Sequence, residues 1–258
     1  MRMADALDLV PRSTVRHFLK TFALSAVAYL ALSAIGFHRH VANDSEGVGA
    51  LLQIIGTLYG ILYAFATYVI WGQFTAVESE ILKESAALQD LALFSQRLKP
   101  PVREPIVQAV RVYARGVADT EWRALAAGAL TERTDHLFTE IVFAVAGVRP
   151  ADEDEREVYG RLLEIADQAS IHRGERLSLS VKRIPQTLLG LVTLTASAIV
   201  FLLLLYPFRS MLLALLSLAV PIMLLFLTHF VITDLDNPFA GTWNVAATPF
   251  EDLLKKAR

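Results

Sequence analysis

Apolar residues gather at both ends of this chain, and charges gather in the middle. Two hydrophobic runs, 18–37 and 48–74, lie near the N-terminus, and two more, 184–208 and 211–233, lie near the C-terminus. A bilayer core about 30 Å thick needs roughly 20 apolar residues in a helix, and each run reaches that length. The intervening stretch, 75–183, holds 15 of the 24 Lys+Arg and 18 of the 26 Asp+Glu. This layout predicts an all-α integral membrane protein. Four transmembrane helices form two hairpins, and a helical insert continues from the second span. A mean hydropathy of +0.45 agrees, because a soluble globular chain rarely carries so much apolar composition.

Lys/Arg in short flanks set the orientation. The N-terminal tail carries Arg2, Arg12, Arg16 and Lys20, the approach to the third span carries Arg173, Arg176, Lys182 and Arg183, and the C-terminal tail carries Lys255, Lys256 and Arg258. The two hairpin loops offer only Arg39 and Arg209. Both termini and the insert are therefore expected in the cytoplasm of a cell inner (plasma) membrane protein. The expected divisions are a tail over 1–17, a first hairpin over 18–74, a cytoplasmic helical domain over 75–183, a second hairpin over 184–233 and a tail over 234–258. A cleaved leader is disfavoured for the first run, which is too long for a signal core and is followed at once by another span.

The second span continues past the membrane. Val77, Ile81, Leu82, Leu88, Leu91, Phe94 and Leu98 recur at helical spacing, and neither Gly nor Pro interrupts 73–99. One helix over 48–98, ~75 Å long at 1.5 Å per residue, is predicted, broken by Pro100-Pro101. Further helices are expected over 102–127, over 133–147 and from Ala151 onward. The last of these has acid in its first turns and base in its last, as the helix dipole favours. Pro221 is expected to kink the fourth span.

Candidate residues cluster around the spans. On the charge-free second span, Gly49, Gln53, Gly56, Gly60, Ala64 and Thr67 share one stripe, with Tyr63 beside it. Gly56 and Gly60 form a GxxxG pair, which lets helices approach closely. The same small and polar side chains would also suit a pore wall. Trp71 at the boundary reads as an interfacial anchor or as part of a mouth. Arg173 and Arg176 read either as topology signals or as contacts for anions or lipid headgroups. Asp234 and Asp236, followed by Pro238, Phe239 and Gly241, read as a capping turn that docks the tail or as charge at a pore entrance. The two aspartates alone do not make a metal site.

Several functions are excluded. No cysteine is present, so thiol chemistry and cysteine metal sites drop out. A net charge of −2 without a basic block argues against nucleic acid. No catalytic constellation, cofactor motif or metal motif is present.

Trp71-x-Gln73-Phe74, the helix from Glu78 to Asp90, Tyr113-Ala114-Arg115 followed by Glu121-Trp122, Arg173 and Arg176 before Ile184-Pro185, and Leu235-Asp236-x-Pro238-Phe239-x-Gly241 together resemble the bacterial bestrophin-like domain family of unknown function. The similarity spans about 45–253. It implies distant kinship with bestrophins, which are pentameric anion channels with four membrane helices per subunit, a pore lined by the second helix and a hydrophobic neck. Leu52, Ile55, Leu58 and Ile61 offer no single obvious neck triplet. The resulting expectation is a homo-oligomeric, pentamer-favoured ion channel with anions as the favoured cargo. The competing expectation is a non-conducting membrane scaffold or sensor whose cytoplasmic helices bind a partner.

Overall fold

In a computed structural model the described residues are 12–256, with backbone only at Arg12 and Lys256. Arg2 and Arg258, and the side chains of Arg12 and Lys256, lie outside the described residues. All regular structure among the described residues is helical. The main elements are α1 (Arg12–Ala34), α2 (Phe37–Val41), α3 (Ser45–Phe94), α4 (Pro100–Gly116), α5 (Trp122–Ala126), α6 (Glu132–Ala146), α7 (Glu153–Ser180), α8 (Gln186–Leu205), α9 (Met211–Leu235) and α10 (Thr248–Lys256). Four helices are long and apolar enough to cross a membrane.

The chain divides into two compact units, Met1–Ile70 with Ile184–Asp236, and Trp71–Arg183 with Asn237–Arg258. The boundary falls inside α3, which is a single helix of 50 residues. It ends in a 3-10 turn at Ser95–Arg97, where Pro100 and Pro101 enforce a new start.

In the first unit Tyr29, Leu203, Ala214, Leu218 and Ile222 form a small buried cluster, edged by Phe18, Phe22 and Leu52. The Tyr29 ring stacks on His38 with centroids 4.4 Å apart, and His38 Nε2 lies 2.9 Å from the Leu204 carbonyl. These contacts tie the first hairpin loop to the end of α8. Gly36, in the first loop, adopts φ +76, a left-handed conformation that costs glycine little. The helix α9 runs unbroken through Pro221.

The second unit has the larger core. Val77, Ile81, Leu88 and Leu91 of α3 meet Ile106, Val110 and Tyr113 of α4, Phe138 and Ile141 of α6, and Leu162 and Ile165 of α7. Asp152 caps α7, its Oδ1 accepting the Glu155 N–H at 2.8 Å, while a Glu155 oxygen accepts the Ala151 N–H at 2.9 Å. These bonds satisfy donors that a helix start otherwise leaves orphaned.

Two features depart from the sequence reading. The helix expected over 102–127 is interrupted by a π segment, Val117–Glu121, and the expected tail carries α10. The π turn inserts a residue into the helical register, a device that re-aims side chains, and here it delivers Glu121 to the interior.

Candidate functional site

The glycine stripe lies on the least covered of the four spans. In the most apolar stretch of that helix 6% of residues are buried, against 11%, 22% and 17% in the other three. A Cβ added at Gly56 or Gly60 would meet nothing within 4 Å, and one at Gly49 would meet only Tyr206, at 3.8 Å. Within one chain, the GxxxG pair therefore packs against no other helix. Gln53 and Ala64 are exposed on the same side. Beside them runs an exposed apolar stripe, Leu51, Ile54, Leu58, Ile61, Phe65 and Tyr68. Tyr63 is half-buried and stacks on Tyr59 with centroids 6.1 Å apart, and Tyr59 shares a hydrogen bond with Thr228 of α9. Thr67 Oγ1 is buried and has no hydrogen-bond partner among the described residues.

The second unit holds a buried charged centre. Arg176 on α7 is completely buried. Its Nε donates to Glu84 Oε2 at 2.6 Å, and its Nη1 sits 2.6 Å from Glu121 Oε1. The Tyr113 hydroxyl donates to Glu84 Oε1 at 2.5 Å, and Thr134 donates to Glu121 Oε2. Arg173, one turn before Arg176, pairs with Asp135 and lies 3.9 Å from Glu121. At the edge, His172 Nδ1 lies 2.7 Å from Glu80 Oε2. Two arginines thus face Glu84, Glu121 and Asp135, so α3, α6, α7 and the π segment share one ionic network.

Burial opposes the Arg176 charge, but Glu84, Tyr113 and Glu121 more than offset it and hold its pKa well above the ordinary value. Burial, reinforced by the Glu84 carboxylate, pushes the Tyr113 phenol well above its usual range. Arg176 thus keeps its charge and Tyr113 its proton across physiological pH. The centre's role is structural: it fixes helices to one another.

Sequence reasoning singled out Arg173 and Arg176 but not their acceptors. One signal for Glu84 was available, because it lies on the stripe of Val77, Ile81, Leu88 and Leu91, where a carboxylate is out of place unless paired. Nothing local marks Glu121, whose inward aim depends on the π turn.

The residues after α9 serve as a clasp. Asp236 Oδ1 accepts the Ile184 N–H at 2.7 Å, joining the end of α9 to the approach to α8. Asp234 is half-buried on α9. Asn237 Nδ2 donates to the Ala126 carbonyl at 3.0 Å, and the Pro238 carbonyl accepts the Val245 N–H at 2.8 Å. Gly241 takes φ +86, which turns the chain back. Phe239 is buried edge-on to Trp122, centroids 5.0 Å apart, and the Trp122 indole donates to the Val245 carbonyl at 3.2 Å. Trp71 stacks on Phe74 and meets the edge of Trp243 at 6.2 Å.

Four apolar spans and a helical polar unit sharing α3 define a multi-pass helical membrane protein. The Bestrophin-like domain matches residues 19–250, and the chain belongs to that family. Its fold is similar to that of a bacterial bestrophin homologue from Klebsiella pneumoniae carrying a leucine-to-threonine mutation. That match has a TM-score of 0.70 and 11% identity over 93% of this chain and 97% of that one. The same homologue solved by Zn-SAD phasing gives a TM-score of 0.68 and 12% identity, covering 93% and 98% of the two chains. A structure described as a membrane protein with a proline-to-alanine change gives a TM-score of 0.69 and 12% identity, covering 96% and 99%. No curated protein matches the chain.

Proposed function

We propose that the protein is a homo-oligomeric ion channel, a pentamer conducting anions, with α3 lining the pore. The observation that carries this reading is the open glycine face. Gly56 and Gly60 have no neighbour within 4 Å of an added Cβ, on a span with no charged side chain between Val48 and Phe74. A close-approach motif left unused within one chain is available to further copies or to an axial passage, and both are met by a ring around α3. Residues 75–183 and both termini face the cytoplasm. Gln53, exposed, supplies a polar group along the wall, and Leu58 and Ile61, both exposed, supply apolar constrictions.

Purified protein in liposomes with an outward chloride gradient tests this. The expected result is chloride efflux from a ring-shaped oligomer, reduced by Gly60→Leu while the ring persists. An intact oligomer that passes no ion under any gradient would overturn it and would favour the scaffold reading.

A further inference from the structure

Two cavities open along one side of α4. The larger, about 660 Å³, is lined by Arg103, Glu104, Gln108 and Arg111 among others. The other, about 380 Å³, is lined by Gln108, Arg111, Arg115, Asp119, Thr120 and Arg133 among others. They share Gln108 and Arg111. Positions 103, 111 and 115 differ by multiples of four, so they lie on one side of the helix, roughly 12 and 6 Å apart along its axis. Arg133 joins them from the start of α6.

Elsewhere in this unit the arginines are engaged. Arg156, Arg161, Arg173 and Arg176 meet carboxylates. Arg97 lies over the Phe94 ring, and Arg123, Arg149 and Arg183 donate to backbone carbonyls. Among the described residues, the side chains of Arg103, Arg111, Arg115 and Arg133 meet no carboxylate, carbonyl or ring, and all four line these two cavities. Arg111 is the most constrained. Its Nε is buried and has no hydrogen-bond partner among the described residues. A guanidinium cannot shed its proton, so an N–H taken from water without an acceptor is uncompensated. Arg111 lines both cavities, so an anion entering them meets its guanidinium.

The charge balance selects the ligand. Across the two cavities Arg103, Arg111, Arg115 and Arg133 face two carboxylates, Glu104 and Asp119, leaving 4 − 2 = +2. A phosphate group carries about −1.5 to −2 near neutral pH, and its oxygens match the guanidinium fork bidentately. Chloride has neither the charge nor the size to engage both cavities at once. We propose that this double cavity binds a small anion bearing two or more phosphate groups. Arg111 bridges them, Arg103 holds one end, and Arg115 with Arg133 holds the other. Gln108 and Thr120 add neutral donors. The phosphates belong either to a soluble polyphosphate or to an anionic lipid headgroup. The site does not depend on whether the protein conducts.

The test uses full-length protein in detergent at constant ionic strength, titrated calorimetrically with pyrophosphate and tripolyphosphate. Saturable binding is expected. Arg111→Gln, and separately the double variant Arg115→Gln/Arg133→Gln, should each weaken it about tenfold or more, as loss of a charge-assisted hydrogen bond implies. Lys182→Gln, outside both cavities, should leave it unchanged. The double variant decides the matter if Arg111→Gln fails to fold. Thermal midpoints in phosphatidylcholine nanodiscs with and without cardiolipin, whose headgroup bears two phosphates, separate the two sources. A rise with cardiolipin alone, lost in the arginine variants, assigns the headgroup, and binding of free pyrophosphate assigns the soluble anion. Absence of both, or binding that ignores the arginine variants, overturns the proposal. So does a change of oligomeric state in Arg111→Glu without any phosphate binding, which would place a second copy's carboxylates on these arginines.

Discussion

The two parts of α3 solve opposite problems with one helix. From Ser45 to Ile70 it carries no charge after Glu46 and leaves Leu51, Ile54, Leu58, Ile61 and Phe65 uncovered. From Trp71 to Phe94 it buries Val77, Ile81, Leu88 and Leu91, and it also buries Glu84, completely. Stability on the first stretch must come in large part from outside the chain, from lipid or from further copies. On the second it comes from within, and the helices there commit to one arrangement around an ion pair. Gly56 and Gly60 are tolerated on the first stretch because nothing in the chain packs on them, whereas a charge is tolerated on the second because opposite charges face it.

The sharpest way to break this contrast is Arg176→Ala. Removing one partner of a buried network leaves Glu84 and Glu121 uncompensated, and a loss of about 3–5 kcal/mol is expected. Tryptophan fluorescence during thermal unfolding in detergent would read it as a large fall in midpoint. A near-wild-type midpoint would mean that the charged centre does not hold the second unit together. Phe239→Ala should cost roughly 3 kcal/mol through the cavity it leaves beside Trp122, and the same fluorescence reports it directly.

The network should also be visible in alkali. The Tyr113 phenol is raised by burial and by Glu84, so the folded state favours its neutral form. The stability it contributes is therefore complete below the ordinary value of 10.0 and is lost as pH rises above it, by about 1.4 kcal/mol per pH unit until the folded-state value is reached. The gap in midpoint between wild type and Tyr113→Phe should accordingly shrink from pH 9 to pH 11. A constant gap would mean that the phenol is not desolvated. The smallest effect is expected in the first unit: Gly60→Ala should change folding stability by less than about 0.5 kcal/mol, because its Cβ meets nothing. If Gly60→Ala destabilises a monomeric preparation, the open face is wrong; if it alters only assembly or flux, the contrast is sharpened.

Much of the fold was legible in the sequence. The four apolar segments match α1, the first part of α3, α8 and α9, because partitioning into lipid depends on local composition. The run past Trp71 was legible because no Gly or Pro interrupts it. The turn from Asn237 to Gly241 showed in its Asn-Pro step, and it proves to seat Phe239 against Trp122. Other parts were hidden. The nine-residue α10 is too short for its period to stand out, with only Phe250, Leu253 and Leu254 to mark a face. The π turn at Val117–Glu121 brings Glu121 to Thr134 and Arg176, partners that no local propensity encodes. Arg176 finds Glu84 across 92 positions of chain, and no spacing rule reaches that far.

The sequence by itself determined which segments are apolar enough to cross a membrane and that the second of them continues as a charged helix. Those properties belong to each segment alone: hydropathy, helical period and the absence of breakers. Only the tertiary structure decided which charges cancel. It sealed Arg176 between Glu84 and Glu121 and left Arg111, Arg115 and Arg133 lining a cavity without side-chain partners among the described residues. The same residue type took opposite fates because pairing depends on what distant segments bring within about 3 Å, and that distance is set by the packed fold.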